Sequence, residues 1–115
     1  MKPDPQLKSK IWAEALIRRA RLGGAFAYLR HHGDDDAGVV LVKIALMNDT
    51  AMIWSPERDE NYNRVWVAQS KSPQNETEVE AWIERALQTD PDLWVVEIED
   101  PQARHFLLPH EIGST

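Results

Sequence analysis

Apolar residues recur along the first stretch of the chain at Leu7, Ile11, Trp12, Ala15, Leu16 and Leu22, while Lys10, Glu14, Arg18 and Arg21 fall largely between them. That is the spacing of an amphipathic helix. Asp4-Pro5 and Ser9 each offer a start, and Gly23-Gly24 a stop. Residues 25–30 read as a strand with Phe26 and Tyr28 on one face. Residues 38–46, GVVLVKIAL, are almost continuously apolar and rich in branched side chains, as a central strand covered on both faces would be. Asn48-Asp49 marks a turn into a third strand over 50–54. After Ser55-Pro56, the polar run 57–63 predicts an exposed loop before a fourth strand at 64–69. Beyond a second loop at 70–75, Asn75…Glu78 and Thr77…Glu80 are alternative capping boxes. Val79, Trp82, Ile83, Ala86 and Leu87 then form the clearest helical stripe in the chain. Thr89-Asp90-Pro91-Asp92 closes it, and residues 93–99 alternate as a fifth strand, with Trp94, Val96 and Ile98 on one face and Leu93, Val95, Glu97 and Glu99 on the other.

This order, α-β-β-β-β-α-β, predicts an α+β fold: a mainly antiparallel five-stranded sheet with two helices packed on one face. Residues 104–108 offer a further short strand. Short connections favour a meander among the first four strands, and the second helix permits a parallel return of the fifth. The chain has 115 residues, enough for one core, and the expectation is a single domain over 1–115 with flexible tails at 1–6 and 109–115. There is no cysteine, which excludes disulfides and thiolate chemistry and fits a reducing compartment. The opening MKPDPQLKSK carries no apolar signal core, and no apolar run approaches the ~20 residues that span a bilayer. A soluble, cytoplasmic protein without membrane association is expected.

Charge is unevenly placed. The net value is −6, yet seven bases against two acids leave the first thirty residues at +5, and six against 17 leave the remainder at −11. An acidic total disfavours nucleic acid as a partner. The basic helix residues Arg18, Arg19 and Arg21 nonetheless suit phosphates or an acidic protein, although arginines near a helix C-terminus also complement its dipole.

The densest chemistry lies in RHHGDDDAG, residues 30–38. His32, Asp34 and Asp36 are ordinary ligands for zinc, manganese or iron. Adjacent histidines on a strand point to opposite faces, however, and Gly33 and Gly38 around three aspartates suit a hairpin connection better. Asp90…Glu97-x-Glu99 resembles the metal-dependent nuclease pattern Asp…Glu-x-Lys with its lysine replaced by Glu99. Alternate glutamates are more commonly the solvated face of a strand. Five tryptophans are many for this length. Most fit apolar faces, while Trp54 and Trp66, flanking the loop that holds Tyr62, are the candidates for an exposed interface. No phosphate-binding glycine loop, nucleophile elbow, HExxH or dinucleotide fingerprint occurs.

Leu7 to Trp12, Leu16 to Ala20, Gly33-Asp34 with Ala37-Gly38-Val39, and above all DPDLWVVEIED at 90–100 give the chain a resemblance to the bacterial family called domain of unknown function 1491. The resemblance spans most of the chain and implies a short, one-domain bacterial protein. It implies no activity. His31-His32 stands where the family pattern suggests basic residues such as arginine, which weakens any role that needs imidazole there. The residues together favour a non-enzymatic protein-interaction or accessory module. It would need no cofactor and would engage a protein partner or a second copy through Arg18, Arg19 and Arg21 or through Trp54, Tyr62 and Trp66. The alternatives are a metal-dependent hydrolase or nuclease built from His32, Asp34, Asp36, Glu97 and Glu99, and nucleic-acid binding through the first helix.

Overall fold

The first helical stripe forms α1 (Ser9–Leu22), whose buried line is Ala13, Leu16 and Ala20. This computed structural model describes residues 8–35 and 38–113, so the alternative start at Asp4-Pro5 lies outside the described residues. The Ser9 hydroxyl donates to the Gly38 carbonyl and pins the start of the helix. Its end is a tight one: the Gly23 N–H bonds the Arg19 carbonyl at 3.0 Å, and Gly24 takes φ +94°, a left-handed conformation that favours glycine.

The strands are β1 (Phe26–His31), β2 (Val40–Ala45), β3 (Thr50–Arg58), β4 (Arg64–Ala68), the two-residue β5 (Gln74–Asn75) and β6 (Trp94–Glu99), with α2 (Glu76–Thr89) between the last two. They form one sheet in the order β1-β6-β2-β3-β4, with β5 beside the start of β3. All pairings are antiparallel except β2 with β6. The α+β class and the mainly antiparallel sheet are as predicted, and the parallel return comes through α2.

Three features depart from the sequence expectation. First, β6 inserts between β1 and β2, so the stretch after His31 is not a hairpin but a bridge over the start of β6. Second, the helices lie on opposite faces of the sheet. Ala13, Leu16 and Ala20 of α1 pack with Val42, Ile44, Val96 and Ile98, whereas Val79 and Ile83 of α2 pack with Ala51, Ile53 and Val95. Residues 95 and 96 point to opposite faces, and every residue of β2 is buried, so a cover is required on each side. Third, β3 continues through Ser55-Pro56 to Arg58, with Pro56 opposite Trp66. The expected loop shrinks to a turn in which the Asp59 carboxylate accepts from the N–H groups of Asn61 and Asn63, both at 2.8 Å.

The sheet edges are treated differently. Residues 109–113, grouped by sequence with a flexible tail, dock on β4: a 3-10 turn (Pro109–Glu111) leads into an Ile112 bridge to Trp66, and the Gly113 N–H donates to the Trp66 carbonyl at 2.9 Å. At the other edge, β1 pairs with β6 and among the described residues has no strand on its outer side. It is blunted by Arg21, whose Nε donates to the Ala27 carbonyl at 2.8 Å, and by a bulge between Leu29 and His31.

Candidate functional site

Lys43 stands in the middle of the apolar strand β2 and is 2% exposed. In register with it on β6 is Glu97, and Tyr28 of β1 is opposite Glu97 in turn. Strand alternation therefore turns Tyr28, Arg30, Lys43 and Glu97 toward the α2 face. There α2 presents Glu76 and Glu80, one turn apart on one side of the helix. The helix is set in place by Asn75, whose side chain caps it by accepting from the Thr77 N–H at 2.8 Å. Lys43 Nζ donates to Glu76 at 2.7 Å, to Glu80, and to Glu97 at 3.4 Å. Arg30 Nη1 donates to Glu80 at 2.8 Å and to Glu97 at 3.1 Å, and its Nη2 donates to the second oxygen of Glu80. Two cations and three carboxylates thus join four elements.

The electrostatics oppose proton transfer. Burial alone would depress the Lys43 pKa, but hydrogen bonds to Glu76 and Glu80 and the charge of Glu97 outweigh it and hold the ammonium above its ordinary value. Hydrogen bonding to Arg30, assisted by Lys43, overcomes the burial of Glu80 and holds its carboxyl at about 2. Burial raises Tyr28, and the charge of Glu97 and a hydrogen bond to it act in the same direction. Lys43 is therefore fixed as a cation, Glu80 as an anion and Tyr28 as a neutral phenol near neutral pH. None is poised as an acid, base or nucleophile.

Acid titration follows with a defined sign. The folded pKa of Glu80 lies below its ordinary 4.5, so its contribution is present above that value and is lost as pH falls toward about 2. Asp100, hydrogen-bonded to Arg104, and Asp59, bonded by Asn63 and Asn61, are also lowered and act the same way. The urea midpoint should fall between about pH 5 and pH 2, and Glu80→Gln should lose less of its midpoint over that range than the parent. An unchanged acid dependence in Glu80→Gln would show that the pairing seen here contributes nothing to it.

The residues of RHHGDDDAG are absorbed elsewhere. Asp34 N–H donates to the Asp92 carbonyl at 3.0 Å, and Trp94 Nε1 donates to the Asp34 carbonyl at 2.7 Å. His31 Nδ1 bonds the Leu93 carbonyl at 2.8 Å. His32 Nε2 meets Asp35 at 2.8 Å, with its ring against Trp94 at 4.2 Å between centroids. A Cβ on Gly33 or Gly38 would lie 2.1 or 2.3 Å from the Asp92 carbonyl oxygen, so close backbone packing explains both glycines. Asp36 lies outside the described residues. Glu97 and Glu99 sit three and five residues beyond Trp94, roughly 10 to 17 Å along the strand. The fold therefore does not bring them to the turn that holds His32 and Asp34. Among the described residues, no group of three or more His, Asp or Glu is placed to hold a metal.

The three helix arginines have different surroundings. Arg19 Nε donates to the Phe106 carbonyl at 2.7 Å, Arg21 bonds Ala27, and Arg18 is exposed with no hydrogen bond or ion pair among the described residues. Of the aromatic candidates, Tyr62 is exposed on its turn and Trp54 is half-buried against the His105 ring. Trp66 is not a surface anchor. It is buried, stacked on Trp12 at 4.1 Å, with Nε1 donating to the Val40 carbonyl at 2.9 Å. Sequence reasoning missed Lys43, Arg30, Glu76 and Glu80; the available signal was one lysine inside an otherwise apolar central strand.

Solved structures of similar chains share this architecture. The crystal structure of a DUF1491 family protein from Caulobacter crescentus CB15 is 46% identical, with a TM-score of 0.81, covering 89% of this chain and 95% of that one. An NMR structure of a DUF1491 family protein from the same organism is 43% identical, with a TM-score of 0.81 over 96% of this chain and 100% of that one. The solution structure of protein Atu0922 from A. tumefaciens is 30% identical, with a TM-score of 0.72 over 84% of this chain and 87% of that one. No curated protein matches the chain. Among the described residues, no helix is long and apolar enough to cross a membrane. The model of the family described as protein of unknown function (DUF1491) matches residues 7–108, and the chain belongs to that family.

Proposed function

We propose that this chain is a non-catalytic protein-interaction module that receives its partner where α1 ends and β1 begins. One observation carries the reading: Leu22, Phe26, Tyr28 and Leu29 are 80%, 75%, 40% and 37% exposed. Four large apolar side chains thus reach solvent within eight positions, around both faces of the sheet edge that lacks a neighbouring strand. Single exposed apolar residues are ordinary, but four of them on the two faces of one open edge suit a docking surface. The paired state of Lys43, Arg30, Glu80 and Glu97 supports the same reading, because the buried charges are engaged with one another and not directed at a cleft.

Site-specific photocrosslinking in the cells that naturally produce the protein tests it. A benzophenone amino acid at position 26 should give one discrete adduct, while the same group at the equally exposed Tyr62 should give none. Equal, diffuse labelling from both positions, or no adduct from position 26, would overturn the proposal. The adduct mass also separates a distinct partner from a second copy of this chain.

A further inference from the structure

Beside β1 on the α1 face lies a groove of about 630 Å³, lined by the exposed Leu22 and Leu29 above the buried Trp94, and by Arg18, Arg21 and Glu14. We infer that this groove takes an acidic, amphipathic segment of a partner protein, with an apolar side chain on Leu22 and Leu29 and a neighbouring carboxylate on Arg18. The inference rests on the interaction reading above and adds the chemistry of the partner to it.

The charge of the groove selects that chemistry. Of the helix arginines, Arg19 and Arg21 are tied to backbone carbonyls at 2.7 and 2.8 Å. Arg18 alone has neither a hydrogen bond nor an ion pair among the described residues, although Glu14 shares its rim. An unpaired guanidinium above an apolar floor matches a carboxylate adjacent to an apolar group, because the charge-assisted pair forms as the apolar contact excludes water. Arg18 and Arg21 face one acid, Glu14, along the groove, on a chain whose net charge is −6, while Arg19 is ion-paired with Glu111 at 3.7 Å, so this strip is basic against an acidic background. An acidic segment is drawn to the strip and repelled elsewhere, which fixes where it lands.

A second copy does not meet this requirement through α2 in a two-fold dimer, the commonest assembly of identical chains. Its exposed acidic side chains on α2, Glu78 and Glu84, would be the natural counterpart. The two helices occupy opposite faces of the sheet, however, so a copy lending α2 to one groove leaves its own groove for a third. Such contacts run head to tail, as a ring or an open chain, and not as a two-fold dimer. The charge of the groove and the commonness of two-fold assemblies select a distinct protein as the occupant.

Crosslinking from position 22, read together with position 26, tests this. Adducts from both positions should resolve to one partner, and the peptide joined to position 22 should contain Asp or Glu beside a large apolar residue. Arg18→Glu should reduce the adduct from position 22 about tenfold or more, the scale of a well-placed interfacial charge, whereas Arg18→Lys should retain most of it. Because Arg18 makes no hydrogen bond or ion pair among the described residues, an unchanged thermal unfolding midpoint in both variants is the control for folding. An undiminished adduct in Arg18→Glu, a basic crosslinked peptide, a second copy of the chain, or labelling from 26 without 22 would each overturn the inference while leaving the interaction reading in place. Loss of adducts from both positions in the parent would overturn both.

Discussion

Lys43→Ala should destabilise the protein by about 3–5 kcal/mol, because it removes one partner from a buried ionic group and leaves the others uncompensated. The ammonium at 2% exposure is shared among Glu76, Glu80 and Glu97. Without it, Arg30 is the only cation left in the cluster, and its bonds go to Glu80 and Glu97. Glu76 would keep no cationic partner from the cluster, and Glu97 would be half-paired inside the sheet. The loss should exceed that from removing a surface ion pair, which is typically below about 1 kcal/mol. The double variant Lys43→Met with Glu97→Met should recover much of the loss, since apolar side chains of similar volume avoid the desolvation that the charges require. Urea unfolding of the parent, the single and the double variant measures both. A single variant within about 1 kcal/mol of the parent would mean that the cluster is solvated enough to behave as a surface network.

The position of that lysine shows what the sequence made readable. Residues 38–46 announce a strand buried on both faces, and β2 is one; the same observation already requires a layer on each side of the sheet. Placing both helices on one face conflicted with it. The lysine within that run is the local inconsistency that marks the charged cluster, since an isolated cation in a central strand must find carboxylates nearby. Which carboxylates it finds was not readable. By local pattern Glu80 reads as half of a capping box with Thr77, and Glu97 as the solvated face of a strand. Their convergence depends on β6 entering between β1 and β2, a non-local pairing that no periodicity encodes. The same insertion turned the expected hairpin after His31 into a strap over Trp94. Elements defined by local pattern, the two helices and five strands, were legible; strand order, and with it the neighbourhood of each charge, was not.

Trp66→Ala should cost about 3–5 kcal/mol, the range for truncating a large buried aromatic. This separates a core residue from the interface anchor suggested by its place beside a polar loop. An anchor would lose partner binding at unchanged stability. In the fold, Trp66 joins three parts of the molecule: its ring stacks on Trp12 of α1, its Nε1 reaches the Val40 carbonyl of β2, and its backbone carbonyl accepts from Gly113. Trp12 in turn donates through Nε1 to Glu111 at 2.8 Å, so the stacked pair and the docked segment 109–113 hold one another in place. Removing the ring leaves the backbone bond to Gly113 formally possible but withdraws the Trp12 stack that positions Glu111. Amide exchange at Gly113 should therefore accelerate more in Trp66→Ala than expected from the global loss of stability, while Trp66→Phe, which keeps a ring against Trp12, should show a smaller excess. If the Gly113 amide follows global stability in both variants, the segment is held by its backbone bonds alone and the aromatic stack does not hold it.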